Sequence, residues 1–327
     1  MNQFQVPANI LLVGEYAVVE PGGLGVAAAV EPSVTVTIEP DTQFLIRGIT
    51  GHNERSWSPE SGGDPFLETA VRTAIDELSI DKLSTGERVP AAPARITIDS
   101  TAFFDRQGNK LGFGSSASVV VGLVRALCVA YRVTPRNLTQ IAVRVHRAVQ
   151  NGRGSGYDVA ASRYGGVGQF TGGDTPGWEP LAPPARVEAV GLSHVYLFRG
   201  PQPVNTRAAI MALERFRAAD SPGFEAFLER SNEAAAQTAR AVADGNWPAF
   251  RRAVEQAAEN SRHLGGLIGF PSVPPEDVAR WAHTLGGVAK CVGAGNELTA
   301  VILPPASEVE MPDGVVRVRI AVPEESA

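Results

Sequence analysis

The pattern of apolar and polar residues predicts a strand-rich start to the chain. Residues 10–13 form an apolar run that ends at a glycine, which indicates a buried strand, and residues 16–19 are predicted as a second short strand. Apolar residues alternate with threonines over 34–38, which indicates a strand with one buried face. Pro32 is expected to separate this strand from another over 26–30, because proline lacks the N–H group that a sheet ladder uses.

The rest of the chain alternates loops, helices and short strands. Residues 51–64 are rich in Gly, Ser, Asn and Pro and are predicted as an exposed loop. Helical spacing of apolar residues predicts helices over 65–78, 115–130, 135–150, 206–219, 222–243, 246–263 and 275–285. Further strands are predicted over 95–98, 195–198, 287–291, 299–303 and 315–322. We therefore predict an α+β fold, divided by a Gly- and Pro-rich stretch after residue 170 into domains over 1–175 and 176–327.

Composition narrows the class of protein. The chain has 327 residues, of which 44% are hydrophobic and 20% charged, the balance of a soluble globular protein. Its net charge of −6 argues against nucleic acid or an anionic membrane as the main partner. The two cysteines, Cys128 and Cys291, predict neither a disulfide framework nor a metal cluster. With no recognisable signal peptide or membrane-spanning run, we expect a cytoplasmic monomer or homodimer whose partners are small molecules.

The clearest chemistry lies in a glycine- and serine-rich segment, 110–118, that leads straight into an apolar helix. Glycines let the backbone approach an anion, and a helix N-terminus offers free N–H groups and the positive end of the helix dipole. The residues expected to bind a phosphate are Gly112, Gly114, Ser115, Ser116 and Ala117. The order of residues matches neither the Walker A loop nor the dinucleotide fingerprint. An ordinary serine-capped turn has the same composition, so the segment alone leaves both interpretations open.

Two further glycine segments follow. Residues 152–162 place Asp158 at or near the start of a helix, where the dipole and free N–H groups stabilise a carboxylate. Asp158 is either a plain helix cap or a group that orients or deprotonates a substrate during phosphoryl transfer. Residues 290–297 lie between two predicted strands, where a simple hairpin turn is the alternative to a binding role.

Three glycine segments in this order, after a strand-rich start, resemble those of the GHMP kinase superfamily nearly end to end. Residues 7–18 look like its first motif, 112–116 like its phosphate-binding second motif, and 293–295 like its third. Within the superfamily the likeness is greatest to the phosphomevalonate kinases, on the segments 14–22, 110–116 and 148–160. Mevalonate kinases carry a magnesium-binding glutamate about three helical turns before the catalytic aspartate. Here that neighbourhood holds His146, Arg147 and Gln150 instead.

The resemblance implies an N-terminal domain with a left-handed βαβ crossover, a ferredoxin-like C-terminal domain and an active site in the cleft between them. It implies ATP and Mg²⁺ as cofactors and transfer of the γ-phosphoryl group to 5-phosphomevalonate in the mevalonate pathway. The implied catalytic residues are Asp158 and Lys110, and the implied magnesium ligands are Ser116 and Asp158. The implied substrate-binding residues are Asn9, Glu15, Tyr16, Arg147, Arg153, Ser155, Gly156, Asn205, Thr206, Gly293, Ala294 and Gly295.

The chain departs from the family pattern at two places. Asn9 stands where the first motif usually has a lysine close to the transferred phosphate, and residues 296–298 replace further glycines and an acidic residue after the third motif. A phosphomevalonate-type kinase is the favoured interpretation. The alternatives are a GHMP kinase acting on mevalonate, a sugar or an amino-acid alcohol, and a catalytically weak homologue that binds a nucleotide or metabolite as a regulator.

Overall fold

The computed structural model describes residues 2–51, 53–78, 93–105, 108, 111–112, 114–152, 154–200, 204–307 and 309–322. Its strands are β1 (Asn2–Val13), β2 (Leu24–Pro40), β3 (Leu45–Thr50), β4 (Asn53–Ser58), β5 (Gly62–Gly63), β6 (Ala94–Asp99), β7 (Val167–Thr171), β8 (Gly177–Pro180), β9 (His194–Arg199), β10 (Val288–Val292), β11 (Leu298–Ile302) and β12 (Val316–Arg319). Its helices are α1 (Pro65–Glu77), α2 (Ser115–Tyr131), α3 (Leu138–Val149), α4 (Tyr157–Tyr164), α5 (Pro184–Ala189), α6 (Thr206–Ala219), α7 (Ser221–Asp244), α8 (Trp247–Ile268) and α9 (Glu276–Thr284). The predicted α+β class is confirmed. Within the described residues, no helix has the length and apolar character needed to cross a bilayer.

The chain divides into two compact units. Unit 1 holds Met1–Asn9 and Pro32–Tyr164, and unit 2 holds Ile10–Glu31 and Gly165–Ala327. Strands β1 and β2 each contribute residues to both units, so the chain passes between the units within strands as well as after α4. The domain boundary at residue 175 stays a prediction.

Unit 1 consists of a sheet and the helices α1 to α4. The strand order is β5-β4-β3-β6-β2, where β6 is antiparallel to the second half of β2 and parallel to β3. Helix α2 is almost entirely buried along residues 117–128, because nearly every position in this run is apolar or small. It packs against both α3 and α4, which brings the start of α2 close to the last turn of α3 and the first turn of α4. The handedness of the crossover stays a prediction.

Unit 2 contains a four-stranded antiparallel sheet in the order β10-β11-β9-β12. Numbered along the chain, these strands lie in the order 2-3-1-4, which is the ferredoxin-like order that the resemblance implies. The first half of β2 pairs with β7, and β7 pairs with β8. Helices α7 and α8 pack side by side, and the β10–β11 hairpin carries the third glycine segment at its turn, as predicted.

Three local predictions were wrong. Ala17–Val19 form a 3-10 turn and not a strand, because Tyr16 adopts a left-handed backbone with φ of 66° that ends the extended chain. Pro32 does not break β2, since it lies between the residues paired with β7 and those paired with β6. The polar stretch 51–64 contains β4 and β5, whose mostly exposed residues hide the strand pattern.

Candidate functional site

The phosphate-binding segment ends at Gly114, the residue that caps α2. Gly114 adopts a left-handed backbone with φ of 69°, and a Cβ atom there would lie 2.6 Å from the side-chain amide of Asn9. Only glycine meets both conditions, because a side chain is strained at this φ and has no space. Ser115 is buried and Ser116 is half-buried, while Gly112 is exposed. The N–H of Ala117 donates to the Gly114 carbonyl at 3.1 Å. The backbone N–H groups left for a bound anion are therefore those of the residues before Ala117.

Asn9 lies at the end of the unit 1 part of β1 and is buried. Its side-chain Nδ2 donates to Ser162 Oγ at 3.0 Å and to the Gly114 carbonyl at 3.4 Å. These contacts attach the start of α2 to β1 and to α4, which makes Asn9 a structural support of the loop. Its predicted role in substrate binding is untested.

Asp158 is the second residue of α4, as the sequence predicted. Its Oδ1 accepts from the N–H of Val159 at 2.9 Å, and its Oδ2 lies 3.4 Å from Nδ1 of His146. The side chain is 20% exposed, so part of the carboxylate remains accessible to a ligand. Just before α4, Ser155 and Gly156 are buried, and Ser155 Oγ accepts from the N–H of Tyr157 at 3.4 Å.

His146 is the residue that sequence reasoning did not assign to the site. It lies in the last turn of α3 and is 2% exposed. Its Nε2 lies 3.1 Å from Ser116 Oγ and 3.1 Å from Gln150 Nε2, while its Nδ1 faces Asp158. The ring therefore connects the phosphate-binding segment with the predicted catalytic aspartate. The available signal was the i, i+4 spacing of His146 and Gln150 on one helix face.

Of the three cationic residues predicted for the site, the structure describes Arg147. Arg147 donates from Nε to the Gly154 carbonyl at 2.9 Å and from a terminal nitrogen to the Ser155 carbonyl at 3.1 Å. These bonds make Arg147 a support of the second glycine segment. Lys110 and Arg153 lie outside the described residues.

In unit 2, the first and third motifs meet through a buried ion pair. Lys290 Nζ contacts Glu15 Oε1 and donates to the Cys291 carbonyl at 2.8 Å. Burial raises the pKa of Glu15 above its usual range, and Lys290 together with the Gly293 N–H opposes that rise. Within the described residues, Glu15 Oε2 has no hydrogen-bond partner.

Tyr16 is also buried, in an apolar cluster with Leu213 and Leu264, against which Ala294 packs. Its hydroxyl has no hydrogen-bond partner in the described part of the chain, and burial raises its pKa. Glu15 and Tyr16 each have one buried polar atom without a hydrogen-bond partner among the described residues, and their role in substrate binding stays a prediction.

The last predicted residues lie at a helix start and a hairpin turn. Asn205 caps α6, and its Oδ1 accepts from the N–H of Ala208 at 3.1 Å. Thr206 is the first residue of α6 and is exposed. Gly293, Ala294 and Gly295 form the turn between β10 and β11. The cap explains Asn205 and Thr206, and their role in substrate binding stays a prediction.

The side chains near Ser116 offer a partial set of oxygen ligands for magnesium. The described residues contain no group of three or more His, Cys, Asp or Glu side chains that would hold a metal ion by themselves. Mg²⁺ at phosphate sites uses one or two carboxylates, and substrate phosphates and water complete its shell. Ser116 Oγ and Asp158 Oδ2 contact opposite nitrogens of the His146 ring, so one Mg²⁺ ion, whose ligands lie about 2.0–2.1 Å from it, would not bind both directly. Ser116 fits as a direct ligand, and Asp158 fits as a partner of the water molecules in the shell.

Comparison with known proteins identifies the fold. Residues 70–166 match the GHMP kinases N terminal domain. A phosphomevalonate kinase from Streptomyces sp. (strain CL190) is 25% identical over 325 residues, with 88% of this chain and 86% of that protein covered. A Lin0012 protein from Listeria innocua has a TM-score of 0.77 at 24% identity, covering 92% of this chain and 90% of that one. Streptococcus pneumoniae phosphomevalonate kinase in complex with phosphomevalonate and AMPPNP has a TM-score of 0.71 at 18% identity, covering 93% and 92%.

Proposed function

We propose that this chain is an ATP-dependent kinase of the GHMP superfamily whose acceptor is 5-phosphomevalonate. The observation that carries the proposal is that Ser116 and Asp158, each near the start of a helix, contact the two nitrogens of buried His146. Phosphoryl transfer depends mainly on positioning and on neutralising charge; these residues supply the positioning, and Mg²⁺ and a cationic side chain would neutralise the charge.

Each residue has a defined task in this proposal. The backbone N–H groups of Ser115 and Ser116 bind the nucleotide phosphates at the positive end of α2. Mg²⁺, when bound, neutralises charge on the phosphates; Ser116 would hold it directly and Asp158 through its water shell. Because the acceptor is itself a phosphate, Asp158 orients it and does not have to remove a proton.

Asn9 supports the second candidate, a catalytically weak homologue that binds nucleotide as a regulator. Asn9 is buried, its amide nitrogen is used by Ser162 and Gly114, and it brings no charge to the transferred group. A kinase lacking a cation at this position loses electrostatic stabilisation of the transition state unless another group supplies it. We propose Lys110 for that role.

The test is ADP release with magnesium and ATP over a panel of acceptors: 5-phosphomevalonate, mevalonate, a sugar and an amino-acid alcohol. We expect turnover on 5-phosphomevalonate and loss of about 100-fold or more in kcat for Asp158→Asn, since removing one electrostatic contact to the reacting groups costs about this much. Asn53→Ala, an exposed change in β4, is the control and should keep full activity.

Two results would contradict the proposal. Turnover on mevalonate or an amino-acid alcohol but not on 5-phosphomevalonate would assign another acceptor within the superfamily. Nucleotide binding without turnover on any acceptor would favour the regulatory homologue.

A further inference from the structure

We propose that His146 is a positioning residue that sets the orientation of Ser116 and of Asp158 at the same time. This inference rests on the proposed function, because it assigns Ser116 to the nucleotide side and Asp158 to the acceptor side of one reaction. The three side chains come from three elements, α2, α3 and α4, and His146 is the buried one.

The contacts of the ring determine which nitrogen carries the proton. Gln150 approaches Nε2 of His146 with its side-chain nitrogen at 3.1 Å, and an amide nitrogen only donates. Nε2 is therefore the acceptor, and the proton of the neutral ring lies on Nδ1. Nδ1–H then faces Asp158 Oδ2, which lies 3.4 Å away, as an electrostatic contact.

This arrangement fixes the hydroxyl of Ser116. Because Nε2 is an acceptor, Ser116 Oγ donates its proton to it over 3.1 Å. A hydroxyl oxygen has two lone pairs, and with its proton directed at the ring, both face away from it. Ser116 is therefore presented as a ligand for a cation or as an acceptor, with its hydroxyl no longer free to rotate.

The ring and the backbone of α4 together restrain Asp158. The Val159 N–H donates to Oδ1 at 2.9 Å, and Nδ1 of His146 lies 3.4 Å from Oδ2. One hydrogen bond and one electrostatic contact, from different elements, restrain the carboxylate more than a helix cap alone would. The exposed part of the side chain then faces a ligand in one orientation.

The Ser-His-Asp arrangement is similar to that of acyl-transfer enzymes, but Gln150 argues against a nucleophilic role. In such enzymes Nε2 removes the proton of the serine, for which it needs its full lone pair. Here the Gln150 amide donates to the same Nε2, so the lone pair is already shared. Positioning is the role that uses every contact of the ring.

The test separates the two halves of the ring with two substitutions. His146→Asn keeps an amide near the position of Nδ1 and removes the group at Nε2, whereas His146→Gln keeps a polar group near Nε2 and removes the group that faces Asp158. We measure kcat, KM for ATP, and the affinity for magnesium with AMPPNP by calorimetry. His146→Asn should weaken nucleotide affinity, and His146→Gln should lower kcat, each by about 10- to 100-fold, the usual loss on removing a supporting contact.

Thr139→Val is the matched control, since Thr139 is buried on the same helix, α3, two turns from the site. It tests for a merely structural effect, which would lower thermal stability without separating nucleotide affinity from kcat. Nitrogen-15 NMR of the His146 ring supplies a readout without substrate, and a protonated Nδ1 with an unprotonated Nε2 is the expected result.

A protonated Nε2 in the neutral ring, or equal effects of both His146 variants on affinity and kcat, would overturn the inference. If the unmodified protein turns over no acceptor, the proposed function fails. The NMR and calorimetry arms then still decide whether His146 holds Ser116 and Asp158.

Discussion

At the residue scale, the first motif contributes one charge of a buried ion pair. Glu15 and Lys290 are each only 3% exposed at their side chains, and they lie 275 residues apart in the sequence. Desolvation of both charges opposes burial, and their mutual contact offsets it, so loss of either partner leaves an uncompensated buried charge. The pair therefore holds the third glycine segment to the first motif within unit 2.

We expect Lys290→Met to lower the free energy of unfolding by about 3–5 kcal/mol, because it leaves the Glu15 carboxylate buried and unpaired. The double variant Glu15→Leu with Lys290→Met should recover most of that loss, since no charge then remains in the site. Urea unfolding of the three proteins measures both values.

Arg280→Met supplies the control for that prediction. Arg280 pairs with Glu276 on α9 of the same unit, but both side chains are exposed, at 70% and 89%. An exposed pair contributes about 0–1 kcal/mol, so this variant should unfold almost as the parent does. Equal losses for Lys290→Met and Arg280→Met would show that burial of the Glu15 pair has no energetic consequence.

At the element scale, the start of α2 depends on one backbone conformation and one close contact. Gly112 and Gly114 both have positive φ, at 88° and 69°. A Cβ atom at Gly112 would meet nothing within 4 Å, whereas one at Gly114 would meet the Asn9 amide. A substitution at Gly112 therefore adds backbone strain alone, whereas one at Gly114 adds both strain and a collision with Asn9.

We expect Gly112→Ala to cost about 1–2 kcal/mol, the usual penalty of a left-handed alanine. Gly114→Ala should cost more, because it adds the collision with Asn9. In an Asn9→Ala background the extra cost of Gly114→Ala should disappear and the strain should remain. Urea denaturation of the five proteins gives this comparison, and an unchanged cost of Gly114→Ala in the Asn9→Ala background would contradict it.

Elements with strong periodicity were predictable, and those fixed by tertiary partners were not. The sequence predicted α6 to within a residue and placed Asp158 at the start of α4, because caps and apolar spacing are local signals. It missed β4, since that strand pairs with β3 while exposing most of its side chains. It also missed that His146 belongs to the candidate site, because its partners Ser116 and Asp158 lie on α2 and α4, 30 residues before it and 12 after it.

At the scale of the whole molecule, the two units do not correspond to two consecutive pieces of chain. Unit 2 takes residues 10–31 from the start of the sequence, and these include Glu15, Tyr16 and the β2 residues that pair with β7. Its core is therefore incomplete in any fragment that begins after residue 31.

We expect a fragment of residues 176–327 to remain unfolded by itself, because it lacks the partner of Lys290 and the Tyr16 ring of the apolar cluster. Circular dichroism and the dispersion of amide NMR signals measure this. A fragment that folds cooperatively would show instead that residues 10–31 are dispensable for unit 2.

The path of β2 between the units also sets an order of events during synthesis. Residues 24–28 leave the ribosome long before their partner strand β7, which begins at Val167. At about 5–20 residues per second, the delay is roughly 7 to 28 seconds. Throughout that interval the apolar run Val26–Val30 has no β7 to pair with, so its unpaired edge is a site where the nascent chain is prone to aggregate.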